Sequence, residues 1–358
     1  MAEPFRPLAG VSVLAWEQAV ALPMATRLLA DLGATVIRLE SHTRAAQRPR
    51  YLGNDLARNK LSLAVDLRQE RGRQLVHGLI GTVDVFCENY TPRVQRQFGL
   101  TYEELSAERP DLIMLSLTGY GQTGAWSDRP TYGPGIESAA GHAMSMGYAD
   151  APPTRPGTIV YADNVSGFYA ALAVLGALHR RRATGKGAYI DLAMYEANAF
   201  HLGLSVVRSS VTGLPEQRQG NADPSAFFQD VLPSRDPERW LAVTVRPEQV
   251  AALAQVLRND AIDGDALVVA LRAWVVERTA EEGAAALQAA GIAAHPVLTA
   301  KDVLLDPQLQ HREAFSLAAH DAPVNGYAAH PHLASPWRVA GWSRSPLREA
   351  PAVGQDTR

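Results

Sequence analysis

The sequence predicts an α/β fold: a doubly wound parallel sheet joined to a smaller mixed domain. Three observations predict it. Short, continuous apolar runs at 11–15 (VSVLA), 83–87 (VDVFC) and 112–116 (LIMLS) are bounded by turn residues, as in strands buried on both faces. Segments of helical periodicity separate them, as the crossovers between parallel strands require. The chain has 358 residues, 47% hydrophobic and 20% charged, which is enough apolar material for two cores.

The first strand, 11–15, leads into a helix over 22–32, where Pro23 suits the first turn and Gly33 the end. A second strand covers 34–39 (ATVIRL) and a two-faced helix 67–80. The third strand, 83–87, is followed by short helices near Arg93 and Glu103, then by the fourth strand, 112–116. At 158–163 the apolar run TIVYAD ends in one acid, Asp163. A long, mostly apolar helix follows, then the turn ATGKG (183–187) and a further strand and helix (AYIDLAMYEA). Beyond about 206 the pattern changes: a linker at 207–221, then a domain at about 222–325 with a strand at 240–245, helices at 247–257, 265–276 and 279–290, and a strand at 293–298. The last segment, about 330–358, is loop-rich and free to return to the first domain, 1–206.

A formal net charge of −3 gives no reason to expect a nucleic-acid partner. The single cysteine, Cys87, rules out a disulfide scaffold or a cysteine metal cluster, and no metal site is expected. The most apolar run, near 170–178, is too short to cross a membrane, and the N-terminus lacks a signal-peptide pattern. A cytoplasmic protein with no membrane partner is expected. The first strand-to-helix turn, AWEQAVALPMAT, has no glycine, so the dinucleotide cradle is missing. The later GYGQTG (119–124) runs into Trp126, Asp128 and Pro130, and reads as a loop lining a cleft. Asp163 is then either the N-cap of a helix beginning at Asn164 or a reactive carboxylate.

Several stretches, in register over most of the chain, carry a resemblance. They are ALPMATRLLADLGATVIRLE (21–40), ARNKLSLAVDL (57–67), VDVFCENYTP (83–92), FGLTYEELSAERPDLIMLSLTGYGQTG (98–124), the YAD…ATGKG segment, GIAAHPVLTAKDVLLDPQLQHREAF (291–315) and APAVGQDT (350–357). Together they resemble the family III CoA-transferases, the group of formyl-CoA transferase and carnitine CoA-transferase, with α-methylacyl-CoA racemase as a divergent branch. The resemblance implies a Rossmann-like large domain built from both chain ends, an inserted smaller α+β domain and an interlocked homodimer. It implies acyl-CoA and a small carboxylic acid as partners, with coenzyme A as part of the substrate and no permanently bound cofactor. It makes Asp163 the nucleophile, passing through a mixed anhydride and an aspartyl-CoA thioester. A helix N-terminus would keep that carboxylate ionised, and amides of the loops 119–124 and 133–135 would serve its oxyanions.

The racemase branch carries a histidine where Tyr132 stands, and tyrosine is a weak base at neutral pH, which favours transferase over racemase. Glu137 either faces the cleft, orienting Tyr132 or a polar acceptor, or is a surface residue. The resemblance places Gln18, Ala19 and Val20 against the pantetheine and thioester end of CoA, with Gln18 donating to an acyl oxygen. It gives Asn89, Val94, Gln97 and Phe98 cleft positions and makes Arg38, Arg96 and Arg129 candidates for the phosphates. The family's arginine before a Phe-Gly step falls on Gln97, and Ser41 stands where a basic residue or proline is usual. Phe227 and Phe228 either wall the acyl pocket or belong to a core, and His142 reads as packed. Two further readings remain open: a racemase with Asp163 as proton shuttle, and a CoA-binding homologue without turnover.

Overall fold

The computed structural model describes residues 3–41, 50–154, 161–259, 264–324 and 327–357. The described chain divides into two compact units. One comprises Met1–Ala143, Arg155–Leu214 and His311–Arg358, the other Met144–Thr154 and Pro215–Gln310.

The larger unit runs β1 (Ser12–Trp16), α1 (Ala21–Asp31), β2 (Thr35–Glu40), α2 (Arg50–Ala57), β3 (Leu61–Ala64), α3 (Glu70–Ile80), β4 (Val85–Glu88), α4 (Pro92–Phe98), α5 (Tyr102–Glu108) and β5 (Ile113–Thr118). It continues with α6 (Gly133–Ala139), α7 (His142–Ser145), α8 (Tyr161–Thr184), β6 (Ala188–Ala193), α9 (Met194–Ala199) and α10 (Gly203–Thr212). The six strands form one sheet of order β3-β2-β1-β4-β5-β6, every pair parallel. That order reverses between β1 and β4, the switch point beside which open α/β sheets bind ligands. The expected doubly wound α/β fold is therefore present. Its apolar strands are buried on both faces: one core gathers Val13, Val36, Val85 and Leu115 under α1 and α8, the other Leu14, Phe86 and Met114 under α3 and α5.

Helix α8 lies closely along α1. A Cβ on Gly167 would stand 2.9 Å from the Ala21 carbonyl oxygen and 2.8 Å from Met24 Cγ, so the absence of a side chain sets this approach. The run 158–160, expected as part of an apolar entry to α8, lies outside the described residues. The segment expected to be linker from about 207 is helical through Thr212.

The smaller unit holds an antiparallel sheet, β7 (Phe228–Pro233), β8 (Trp240–Val245) and β9 (Ala293–Pro296), in sequence order. Helices α11 (Val250–Leu257), α12 (Gly264–Val276) and α13 (Ala280–Ala289) bury Leu253, Leu271 and Leu287 against it. Phe228 is buried in this core and Phe227 packs against it, so the core reading, rather than the acyl-wall reading, describes them.

Two short helices, α14 (Ala300–Leu305) and α15 (Pro307–His311), lead to a hairpin of β10 (Phe315–Val324) and β11 (Tyr327–Leu333), which the sequence did not reveal. The C-terminal segment then covers the open edge of β3: Ser62 N–H donates to Asp356 Oδ2 (2.8 Å) and Ala64 N–H to Thr357 Oγ1 (3.1 Å). Alternate amides of an edge strand are thereby satisfied within the chain.

Candidate active site

The site begins where β1 ends. The β1–β4 register pairs Trp16 with Glu88, so the residues that follow each strand also meet. Asn89 Oδ1 accepts the Gln18 N–H and Asn89 Nδ2 donates to the Gln18 carbonyl, both at 2.9 Å. One side chain thus clamps both main-chain groups of Gln18. Ala19, the next residue, has φ 57°, a left-handed conformation costing roughly 1 kcal/mol for a residue with a side chain. The clamp on one side and the start of α1 on the other hold it there.

Behind this loop lies a buried ionic cluster that sequence reading missed. Lys60 Nζ donates to Glu17 Oε1 (2.8 Å), Thr26 Oγ1 (2.7 Å) and the Pro23 carbonyl (2.9 Å). Burial, only partly offset by Glu17, brings the Lys60 ammonium down to about 8. Thr26 also donates to Glu17. Arg38 Nε stands 2.7 Å from Glu17 Oε1, off the hydrogen-bonding direction, and Arg38 Nη1 is 3.3 Å from Glu40 Oε1. Glu17 and Lys60 are 43 residues apart, and no local pattern links them.

Asp163 is set by three elements. The α8 helix already runs at Tyr161, so Asp163 sits within its first turn and is not an N-cap, against one of the two expectations. Close packing of α8 on α1 brings the carboxylate to the Ala21 amide, the first residue of α1, which donates to it. On the opposite side is Gly133, the first residue of α6: a Cβ there would fall 1.8 Å from Asp163 Oδ2. Only a glycine leaves that space. Glu137, one turn along α6, is fully buried and accepts the Ala162 N–H at 3.4 Å. Burial first, and the Glu137 charge second, push the Asp163 carboxyl up to about 6, while the Ala21 amide opposes them. The helix N-terminus therefore does not hold Asp163 at its ordinary value, because desolvation outweighs it. At pH 7 about 90% of the carboxylate is still ionised.

A cavity of about 1100 Å³ opens beside the ends of β1, β2 and β4. Of the residues singled out in the sequence, Gln18, Ala19, Val20, Arg38, Tyr132, Val94, Gln97 and Phe98 line it. Asn89 stands behind Gln18. Asp163 is 5% exposed and lies next to the wall, bonded to the residue after Val20. Tyr132 is 74% exposed, and Glu137 turns to the Ala162 amide. Arg96 and Arg129 do not face the cavity: Arg96 pairs with Asp128 at 3.8 Å and Arg129 stacks 4.7 Å over Trp126. His142 is buried, its ring 3.1 Å from the Asn198 carbonyl, in line with the packed reading. Of the two glycine loops, the one at Gly133 meets Asp163, whereas Gly119 packs against Thr131.

The wall also includes residues that the sequence did not single out. Trp16 stacks on Tyr90 with centroids 3.9 Å apart, and Phe98 meets Trp16 edge-on at 5.6 Å. Arg68 grips Asp66 through two nitrogens, at 2.8 and 3.0 Å. Arg93 completes the basic side chains of the wall. The pattern of alternate aromatics at strand ends was the available signal for the first group. Nothing in the sequence separated Arg93 from its neighbours.

Comparison with known proteins adds an independent line. The family model for CoA-transferase family III matches residues 8–357. The chain is 31% identical to the succinyl-CoA–D-citramalate CoA-transferase of Chloroflexus aurantiacus, over 99% of this chain and 93% of that protein. It is 30% identical to the succinate–glutarate CoA-transferase of Agrobacterium fabrum, over 89% and 87%. The crystal structure of a CAIB/BAIF family protein from Brucella suis superposes with a TM-score of 0.84 at 28% identity, covering 100% of this chain and 98% of that one.

Proposed function

The chain belongs to CoA-transferase family III, and from that premise we propose that it moves coenzyme A from an acyl-CoA to a small carboxylic acid by covalent catalysis at Asp163. The observation that carries the proposal is the seat of Asp163: a largely ionised carboxylate, desolvated and held by the α1 amide, against a glycine, beside a cavity large enough for the ligand.

Asp163 attacks the thioester carbonyl carbon of the donor. The C–S bond breaks, CoA leaves as thiolate, and a mixed anhydride remains. The thiolate attacks the aspartyl carbonyl, releases the donor acid as a carboxylate and leaves an aspartyl-CoA thioester. The acceptor carboxylate then attacks that carbonyl and frees thiolate again. The thiolate closes the cycle by attacking the acceptor's acyl carbon, regenerating Asp163. No net proton or electron is gained or lost. A nucleophile that is already ionised needs no general base. The Ala21 amide and first-turn amides of α6 are donors suited to the oxyanions that form at the aspartyl carbonyl. The pair Gln18–Ala19, fixed by Asn89, offers the cavity a rigid polar edge for the thioester. The exposed phenol of Tyr132 is a weak base at neutral pH, which disfavours α-proton transfer.

Self-association belongs to the same reading. Phe168 and Leu172 are exposed on α8, and Leu204, Val207 and Val211 on α10, apolar surface suited to a second copy of the chain. We assign CoA binding to the larger unit.

The test is a transfer assay with a panel of acyl-CoAs, beginning with succinyl-CoA, against small mono- and dicarboxylates. Wild-type protein forms a new acyl-CoA and D163N does not. Full transfer by D163N, or solvent deuterium entering the α-carbon without CoA exchange, overturns the proposal.

A further inference from the structure

We propose that Arg93 binds a phosphate group of the CoA substrate, as the arginine of the described cavity wall whose side chain is not paired with a carboxylate. The inference rests on the reading of the cavity as the CoA site.

Among the described residues the charges of the wall are matched in pairs, with one exception. Glu17 is held by Lys60 and Arg38, Glu40 by Arg38, and Asp66 by both arms of Arg68. Arg38 and Lys60 share the buried acid Glu17, and the exposed Arg68 is engaged by Asp66. Arg93 lines the same cavity, is exposed, and its side chain forms no ion pair or hydrogen bond among the described residues. Its backbone is nevertheless fixed, since the Arg93 N–H donates to Asp128 Oδ1 at 3.1 Å. A fixed base carrying an uncommitted fork of five N–H donors suits a phosphate, which takes two of them at once.

Helix α4 explains why this residue and not its neighbours. Arg93, Val94, Gln97 and Phe98 line the cavity, a stripe at spacings of three and four that marks one helix face. Gln95 and Arg96 leave that face: Gln95 Nε2 bonds buried Glu88, and Arg96 turns to Asp128. Arg93 and Gln97 therefore stand one turn apart on the α4 face that also carries Phe98, whose ring meets Trp16 edge-on. An aromatic lining next to an unpaired cation fits an adenine nucleotide with its phosphates, the far end of CoA from the thioester.

The test measures binding of free CoA and of pantetheine, which has no phosphate, by calorimetry on the full chain, with thermal melts to show that each variant is folded. Arg93→Ala is expected to weaken CoA binding ~10- to 100-fold and to leave pantetheine binding unchanged. Arg93→Lys keeps the charge but loses the fork, and falls between the two. Wild-type CoA binding also weakens with added salt more steeply than binding by R93A. CoA binding by R93A at the wild-type level, or an equal loss for pantetheine, overturns the inference alone. A wild-type protein with no affinity for CoA overturns it together with the function proposed above.

Discussion

Replacing Gly133 with alanine puts a methyl carbon 1.8 Å from Asp163 Oδ2. Heavy atoms in ordinary contact need about 3.5 Å, so roughly 1.7 Å of displacement is required. Gly133 is not in the left-handed region, so no positive-φ strain adds to the clash. Neither neighbour yields freely. Asp163 is anchored within α8, and swinging it aside abandons the Ala21 amide, worth about 1–3 kcal/mol when left unpaired. Moving α6 instead disturbs buried Ile136 and Glu137. Overpacking of this kind costs about 1–3 kcal/mol of stability. Misplacing a reacting group by about 1 Å costs ~100-fold in rate, so kcat for G133A should fall by at least ~100-fold. The assay is chromatographic measurement of CoA transfer, paired with a melt. Gly78→Ala, in an exposed part of α3 with nothing within 4 Å of the new methyl, serves as the comparison, gaining about 0.5–1 kcal/mol with unchanged activity. If G133A turns over within threefold of wild type, the account of how Asp163 is seated is wrong.

The raised Asp163 pKa predicts an activity that climbs with pH through about 6, and Glu137→Gln, by removing a neighbouring charge, should move that limb lower. It also predicts a stability cost. A carboxyl raised from 3.8 to about 6 binds its proton more tightly when folded, so its contribution falls as pH rises through that window, by about 3 kcal/mol in full. D163N should therefore melt higher than wild type at pH 8, with the advantage gone near pH 4; an advantage that does not change with pH would refute the shift. Asn89→Ala removes both bonds to Gln18 and should raise KM for acyl-CoA ~10-fold or more, while Asn89→Asp, which still accepts but cannot donate, should fall between; equal KM values in all three proteins would deny the clamp a role. Lys60→Met leaves Glu17 with Arg38 as its one cation and Thr26 as its donor, and should destabilise by about 3 kcal/mol in a denaturant titration, with E17Q/K60M recovering part of the loss.

The sheet was legible because its strands are buried on both faces and so appear as unbroken apolar runs; β1, β2, β4 and β5 were each found within a residue or two. Strand β3 was missed because LSLA alternates, being an edge strand whose outer amides are covered by residues from the far end of the chain. The β10–β11 hairpin was missed for its prolines and histidines, which mimic loop composition. Within the candidate site, Asp163 and the Gln18–Val20 turn were singled out from an acid at a helix start, the end of a strand and the family resemblance. The sequence did not reveal that Asp163 lies inside the first turn of α8 and not at its cap. The Glu17–Lys60 pair, the Gly133–Asp163 contact and the isolation of Arg93 are facts about residues far apart in sequence. The isolation of Arg93, in particular, is visible only after every other charge has been assigned its partner.

The most direct measurement of the central claim is the mass of the peptide that carries Asp163 after the protein has turned over acyl-CoA and been quenched with hydroxylamine. An aspartyl anhydride or thioester is attacked at the aspartyl carbonyl, so the account predicts a hydroxamate on Asp163, dependent on acyl-CoA and absent from D163N. Rapid CoA transfer with an unmodified Asp163 peptide, under conditions where the intermediate accumulates, would contradict it.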